Sequence, residues 1–360
     1  MGTSGQEISF SMQQLMPASS ISAAPSDTAL CDKEALARKA EELTTPEFIE
    51  TRILPLIHLN PNGRGVNYNS TIIQNSGTGR LTLRYNFGPE HVLFGKLYSD
   101  SLGPRCYEVN CALWEAGFNA TGYYRVPEPV GFLADHNLLL MSSVSGIPLG
   151  GVFDGHAAVD LVAGSREAAR WLAALHRSSL KTGKPDTDWD SLKLFRMASR
   201  LIKAVAACPE KLDTVRELLD MLERRIAELP SDQRFVFTHG RYHHDHVFVD
   251  ANATTVIDLD RCRPSDPAKD AAEFVRVLRL TAFKEGFDMG VAGEATTAFL
   301  STYLAEFPDA ATSLSCYWAV FVFHSLLGGL KKSNAKGKRS WEELMDFYMS
   351  EIKRALDFGR

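Results

Sequence analysis

Apolar and polar positions follow two rhythms along this chain, and the first half is dominated by the shorter one. Asn67–Gln74 and Arg80–Phe87 alternate or carry β-branched and aromatic residues, which predicts strands joined through a hairpin loop at Gly77-Thr78-Gly79. His91–Tyr98 reads as a third strand carrying Lys96, Pro104–Ala116 as a helix stopped by Gly117. Val130–Leu133 and Asn137–Met141 read as two further strands around an Ala-Asp-His turn. Ahead of the strands, Ala35, Leu36, Ala40, Leu43, Phe48, Ile49, Ile53 and Leu56 suit one or two helices between Asp32 and roughly Ile57. The Asn, Pro and Gly of Asn60–Gly65 predict a turn. Residues 1–30, rich in Ser, Ala, Gln and Met without periodicity, read as a flexible tail.

The second half takes the helical period. Arg166–Ser178, Trp189–Ala207, Lys211–Glu228, Ala268–Lys284, Ala292–Phe307, Ser313–Leu330 and Trp341–Phe358 all repeat apolar residues at helical spacing. Only Phe235–Thr238, Val247–Val249 and Thr255–Leu259 look like strands, and all are short. A β-rich lobe (31–144) followed by a helical lobe (145–360) with a strand-loop-strand insert is the expected organisation. The expected fold class is α+β, protein-kinase-like and bilobal, with a small antiparallel N-lobe.

Composition narrows the function without naming it. The chain has 360 residues, 45% hydrophobic and 23% charged, enough for two lobes with real cores. A formal net charge of −5 gives no reason to expect general binding to nucleic acid or anionic membranes, since both need a basic surface. The apolar runs Leu138–Met141 and Tyr317–Phe323 look too short to span a bilayer. No basic-then-apolar leader opens the chain, and its six cysteines form no CxxC pair, which suits a reducing compartment. The expectation is a soluble, cytoplasmic protein without nucleic-acid or membrane partners; the oligomeric state stays open.

The chemistry concentrates in the insert, Thr238-His239-Gly240-Arg241-Tyr242-His243-His244-Asp245-His246, followed by a hairpin into Val256-Ile257-Asp258-Leu259-Asp260 and then Asp266-Pro267-Ala268-Lys269-Asp270. A loop and hairpin ending in a carboxylate can hold a divalent ion on phosphates. This series resembles the aminoglycoside phosphotransferase and choline kinase-like superfamily, whose loop reads H-G-D-x-x-x-x-N before I-D-[FWL] and G-D-P-x-x-D. The resemblance implies that His239 orients the loop, that Asp258 binds Mg²⁺, and that Asp266, Pro267 and Asp270 are structural. It also implies that Lys96 holds the α/β-phosphates of ATP with Glu108 as its ion-pair partner. Leu139-Leu140-Met141 to Leu149 resembles the family hinge, so the backbone at Met141, Ser143 and Val144 is expected to take the adenine edge. Trp171–His176 resembles the family's L-x-x-L-H helix. The acceptor implied is a small hydroxyl compound.

Two positions depart from the pattern. Arg241 stands where the family has its catalytic Asp, and an arginine accepts no proton at any relevant pH. His246 stands where the family has a metal-binding Asn, and a neutral imidazole can also ligate an ion. Phosphoryl transfer draws most of its acceleration from positioning and charge neutralisation. Two readings therefore stay open. In one the protein is an active kinase, with Asp245, His243 or His244 replacing the base and Arg241 on the transferred group. In the other it is a pseudokinase that binds nucleotide as a regulatory module. The histidines at 239, 243, 244 and 246 also raise a His/Asp metallohydrolase, but the HxHxDH spacing fails.

Overall fold

The computed structural model describes residues 27–57, 67–75, 79–88, 91–153, 155, 159–186, 209–229, 235–330 and 340–358. The expected turn at Asn60–Gly65, the expected helix Trp189–Ala207, Gly77 and Thr78 and nearly all of the expected tail lie outside the described residues. Helix α1 (Asp27–Glu42) leads through the single turn α2 (Pro46–Phe48) and a π turn over Ile49–Ile53.

Five strands then form one antiparallel sheet: β1 (Asn69–Asn75), β2 (Arg80–Asn86), β3 (Val92–Tyr98), β5 (Pro129–Leu133) and β6 (Leu138–Ser142). Their order is β1-β2-β3-β6-β5. The two-residue period divides each strand between faces. Leu81, Leu83 and Tyr85 of β2 and Leu93 and Leu97 of β3 bury one face against Leu36, Ala40, Leu43, Phe48, Ile49 and Ile53. Register places Thr82, Lys96 and Leu139 side by side on the other face. Crowding explains Gly95 between Leu93 and Leu97 on the packed face: a Cβ there would lie 2.9 Å from the Tyr85 ring. Helix α3 (Leu102–Glu115) is inserted after β3, as the pattern predicts.

The helical lobe consists of α4 (Leu161–Arg177), α5 (Leu212–Ala227), α6 (Ala268–Glu285), α7 (Met289–Glu306), α8 (Ala311–Leu330) and α9 (Trp341–Asp357). Local signals set their ends. The Asp160 carboxylate accepts from Val162 N and Ala163 N, and Ser340 with Glu343 forms a reciprocal capping box, each worth roughly 1 kcal/mol. Gly286, at φ 75°, ends α6 in the left-handed conformation that glycine adopts without a Cβ clash. Trp171, Phe274, Phe299, Trp318 and Phe323 fill the core between these helices, and Val109 and Leu113 of α3 join it.

One expectation from the apolar runs needs correcting. The helical segment Pro308–Gly328 is long and apolar enough to cross a membrane by length and composition, and 67% of its most apolar window is buried in the protein. It is apolar because α8 packs between α6 and α9 at the centre of the lobe.

Short strands carry the insert. β8 (Val236–Thr238) pairs with β11 (Arg263–Ser265), while β4 (Tyr124–Arg125), β10 (Thr254–Val256), β9 (Val247–Val249) and β7 (Ile147–Pro148) form a second small sheet. The strand expected to run to Leu259 stops at Val256. Asp258 turns into the left-handed region at φ 64°, and Leu259–Arg261 closes as a tight turn. Aspartate is among the few residues that tolerate this conformation, at a modest cost.

Candidate active site

The loop between β8 and β9 is braced from beneath. Asp270, at the start of α6, accepts from His239 N at 2.6 Å and Gly240 N at 2.8 Å, and its other neighbour is His176 Nε2 at 3.2 Å. Burial would raise this carboxyl, but its bond and charge interaction with His176 and the loop bonds hold it below its ordinary value. His239 bridges to the Ile257 carbonyl through Nε2 at 3.0 Å, tying the loop to the segment that carries Asp258. Burial lowers the His239 pKa, which leaves a neutral ring whose Nε2–H donates to that carbonyl. Gly240 sits at φ 78°, and a Cβ there would lie 2.4 Å from the Arg261 carbonyl oxygen. Beyond it Tyr242 turns inward, donating to the Ala168 carbonyl at 2.7 Å and stacking on Trp171. Arg241 accordingly points outward.

Two carboxylates on the Asp258 turn converge on Lys96. The ammonium lies 2.6 Å from Asp258 Oδ1 and 2.7 Å from Asp260 Oδ2. Asp260 also accepts from Arg80 Nη1 at 2.8 Å and from the Tyr98 hydroxyl at 2.9 Å. Burial acts to lower the Lys96 pKa, yet Asp260 and then Asp258 outweigh it and raise the pKa. Burial likewise acts to raise Asp258, and the Lys96 charge reverses it, so the carboxyl stays ionised well below its usual range.

The other Asp258 oxygen faces His246 and Arg241. His246 Nε2 lies 3.4 Å from Asp258 Oδ2, and Arg241 Nη1 lies 3.8 Å from the same atom. His246 Nδ1 is 3.1 Å from the Arg241 carbonyl oxygen. Burial, with His243 and His239 beside it, pushes the His246 pKa down to about 2, so the ring is neutral. The His243 ring lies 3.7 Å from that of His246. Asp245 is exposed and lies 3.5 Å from His243 Nδ1 and 2.9 Å from His244 Nδ1. The His243 and His244 rings beside it hold it far below an ordinary carboxyl.

Glu108 does not partner Lys96. It is exposed on α3, whose inward face carries Cys106, Val109, Asn110 and Leu113. At about 100° per residue, a position two beyond Cys106 points nearly opposite to it. Asp260 takes the anionic place instead, and α3 is tied to the turn through Arg105 Nη2 on the Cys262 carbonyl at 2.7 Å. Asp260, Arg80 and Tyr98 were not among the sequence-derived site residues. The signals existed: Asp260 stands two positions after Asp258, and Arg80 is directly opposite Tyr98 in the β2–β3 register.

Met141 lies on the sheet face that carries Lys96, since it pairs with Phe94, two positions away on β3. Ser143 and Val144 follow where β6 leaves the sheet, and the Ser143 N–H is committed to the Val92 carbonyl at 3.0 Å. Among the described residues no three His, Cys, Asp or Glu side chains form a metal cage. Asp258 with His246 is thus a two-donor pair, which suits an ion that draws its remaining ligands from phosphate and water.

Residues 107–305, more than half of the chain, match the APH phosphotransferase enzyme family. No match was found among curated protein sequences. The fold is similar to that of a choline/ethanolamine kinase family protein from Mesorhizobium loti, with TM-score 0.51, 14% identity and coverage of 90% of this chain and 95% of that one. It is also similar to a spectinomycin phosphotransferase solved with ADP and spectinomycin, with TM-score 0.55, 13% identity and coverage of 82% and 94%. A glucosamine kinase solved with glucosamine, ADP and inorganic phosphate gives TM-score 0.55, 16% identity and coverage of 88% and 84%. The chain belongs to the phosphotransferase enzyme family and has its two-lobed, protein-kinase-like α+β fold.

Proposed function

We propose that the protein transfers a phosphoryl group from ATP to a hydroxyl of a small molecule, an amino alcohol or amino sugar being the class its structural neighbours suggest. The observation that carries this reading is the 2.6 Å contact between Lys96 and Asp258, residues 162 positions apart that meet between the lobes. A cation and a carboxylate so placed would separate onto the phosphates and onto a phosphate-bound ion. The donors fit Mg²⁺ in number, since that ion takes one or two protein oxygens and fills the rest with phosphate and water. Bound there, the ion would neutralise charge developing on the transferred group.

The chain's own residues supply the rest. Lys96 would hold the α/β-phosphates, with Asp260 restraining it, and Asp258 and His246 would hold the ion. The backbone around Met141 to Val144 would meet the adenine edge through groups other than the Ser143 N–H. His239 would keep the loop carbonyls in place. Arg241, half-exposed at the cleft, would reach the transferred phosphoryl group as a charge clamp. His243, with its Nδ1 facing Asp245, would accept the acceptor's proton, Asp245 stabilising the imidazolium much as in other His–carboxylate pairs.

Two measurements test the reading. ADP with a divalent ion at 100 times its Kd adds about 2.7 kcal/mol to stability, so Tm should rise by several degrees. ATP turnover should then appear with a panel of aminocyclitols, amino sugars and amino alcohols. No thermal shift with nucleotide sinks the nucleotide site. A shift without turnover on any acceptor favours the pseudokinase reading, for which the observation is the cationic Arg241 in place of an acid.

A further inference from the structure

The Asp258–His246 pair has a feature that an Asn at position 246 would lack. The Arg241 carbonyl can only accept, so the 3.1 Å contact assigns the proton of the His246 ring to Nδ1. The other ring nitrogen, Nε2, faces Asp258 Oδ2 at 3.4 Å. An imidazole nitrogen and a carboxylate oxygen so placed can both ligate one cation. A tetrahedral ion with bonds of about 2.1 Å holds its ligands about 3.4 Å apart, and an octahedral one holds neighbours about 3.0 Å apart.

Ligating histidines characteristically donate their other ring N–H to a carbonyl or carboxylate, which fixes the tautomer and orients the ring. His246 has this support. It also has packing that limits rotation: it is buried, with His243 at 3.7 Å and His239 at 5.7 Å between ring centres. Arg241 thus serves the pair twice, through its carbonyl on His246 and its guanidinium near Asp258 Oδ2. The guanidinium is 52% exposed and has room to leave that oxygen.

We propose that this imidazole–carboxylate pair makes the cleft's ion site select a first-row transition dication, with Mn²⁺ as the representative, over Mg²⁺. Mg²⁺ is a hard ion that favours oxygen, whereas imidazole suits transition ions and binds them more strongly from Mn²⁺ toward Cu²⁺. With no third protein ligand among the described residues, the site takes its ion together with nucleotide phosphates rather than as a permanent cage. The inference rests on the nucleotide reading given above and adds the identity of the ion.

The test uses the full chain with ADP. Isothermal titration gives the ratio of Mn²⁺ to Mg²⁺ affinity in the wild type and in His246→Asn, because phosphate oxygens alone also prefer Mn²⁺ somewhat. The ratio should fall about ten-fold or more in the variant. Pulsed electron paramagnetic resonance of the wild-type Mn²⁺–ADP complex should show ¹⁴N coupling from a directly bound imidazole, a readout that needs no variant to fold. An unchanged ratio, or Mn²⁺ without nitrogen coupling, overturns the proposal while the nucleotide site stands. ADP binding with no contribution from either ion overturns it as well. Failure of ADP to bind under any condition overturns the nucleotide reading beneath it.

Discussion

Asp260 and Glu108 give opposite answers to one question, namely which acid restrains Lys96. Replacing Asp260 by Asn removes the charge and keeps the shape. The Asp260 side chain is 4% exposed and meets Lys96 at 2.7 Å, Arg80 at 2.8 Å and the Tyr98 hydroxyl at 2.9 Å. Removing one partner of a buried ion pair costs about 3–5 kcal/mol, because a buried charge is left uncompensated. The lower end applies here, since Lys96 keeps Asp258 at 2.6 Å and Arg80 has a path to solvent. Asn also retains an oxygen for Tyr98, so about 3 kcal/mol is expected for Asp260→Asn. Asp260→Ala orphans the tyrosine hydroxyl and should cost about 1–2 kcal/mol more. Glu108→Ala, at an exposed helix position, should stay within about 0.5 kcal/mol. Urea denaturation monitored by tryptophan fluorescence reads all three, and ADP affinity should weaken only in the Asp260 variants. A loss below about 1 kcal/mol for Asp260→Asn, or a larger one for Glu108→Ala, would refute the assignment of Asp260 as the anchor.

Three further outcomes follow from the same geometry. His239 and His246 both sit below the ordinary histidine pKa, chiefly through burial, so the unfolded chain takes up protons that the folded one does not. Their stabilising contribution is therefore present above about pH 6.5 and is lost as pH falls, by up to about 1.4 kcal/mol per pH unit for each; equal unfolding free energies at pH 7 and pH 5 would contradict this. Gly240→Ala forces a Cβ to within 2.4 Å of the Arg261 carbonyl oxygen at a backbone φ of 78°. It should cost roughly 3 kcal/mol or more, read as a large drop in urea midpoint, and a neutral result would mean that the loop can relax. Arg241→Ala should lower kcat about 100-fold with little change in nucleotide KM if the guanidinium acts on the transferred group, and unchanged kcat would remove it from that role.

Much of the fold could be read from periodicity because its elements are regular. The strands around Lys96 and the apolar helices differ sharply in period, and glycine or capping residues mark several ends, as at Gly286 and Ser340. Asp258 shows where this reading stops. An apolar run predicts a strand through Leu259, but the left-handed turn at Asp258 depends on the tertiary setting, which outweighs the β preference of the run. The position of Glu108 failed for a related reason. Spacing from Lys96 locates the helix but leaves its rotation free, and that rotation is set by Cys106, Val109 and Leu113 packing inward. The chemistry of the loop was legible as residue types. That Arg241 supports His246 with its backbone, while its side chain faces Asp258, depends on a chain path that no local pattern encodes.

The double restraint on Lys96 also bears on how such a protein can change over evolutionary time. Where a single acid both held the lysine and bound the ion, losing it would free a buried cation and endanger the fold. Here the duties are divided. Asp260 keeps a carboxylate against both Lys96 and Arg80 whatever happens at Asp258, and Asp258 lies at the partly accessible side of the cleft. Changes around Asp258 can therefore alter the chemistry of the cleft while Lys96 and Arg80 keep a buried carboxylate partner. A lineage with this arrangement can change what the cleft does by single steps, each passing through a folded protein.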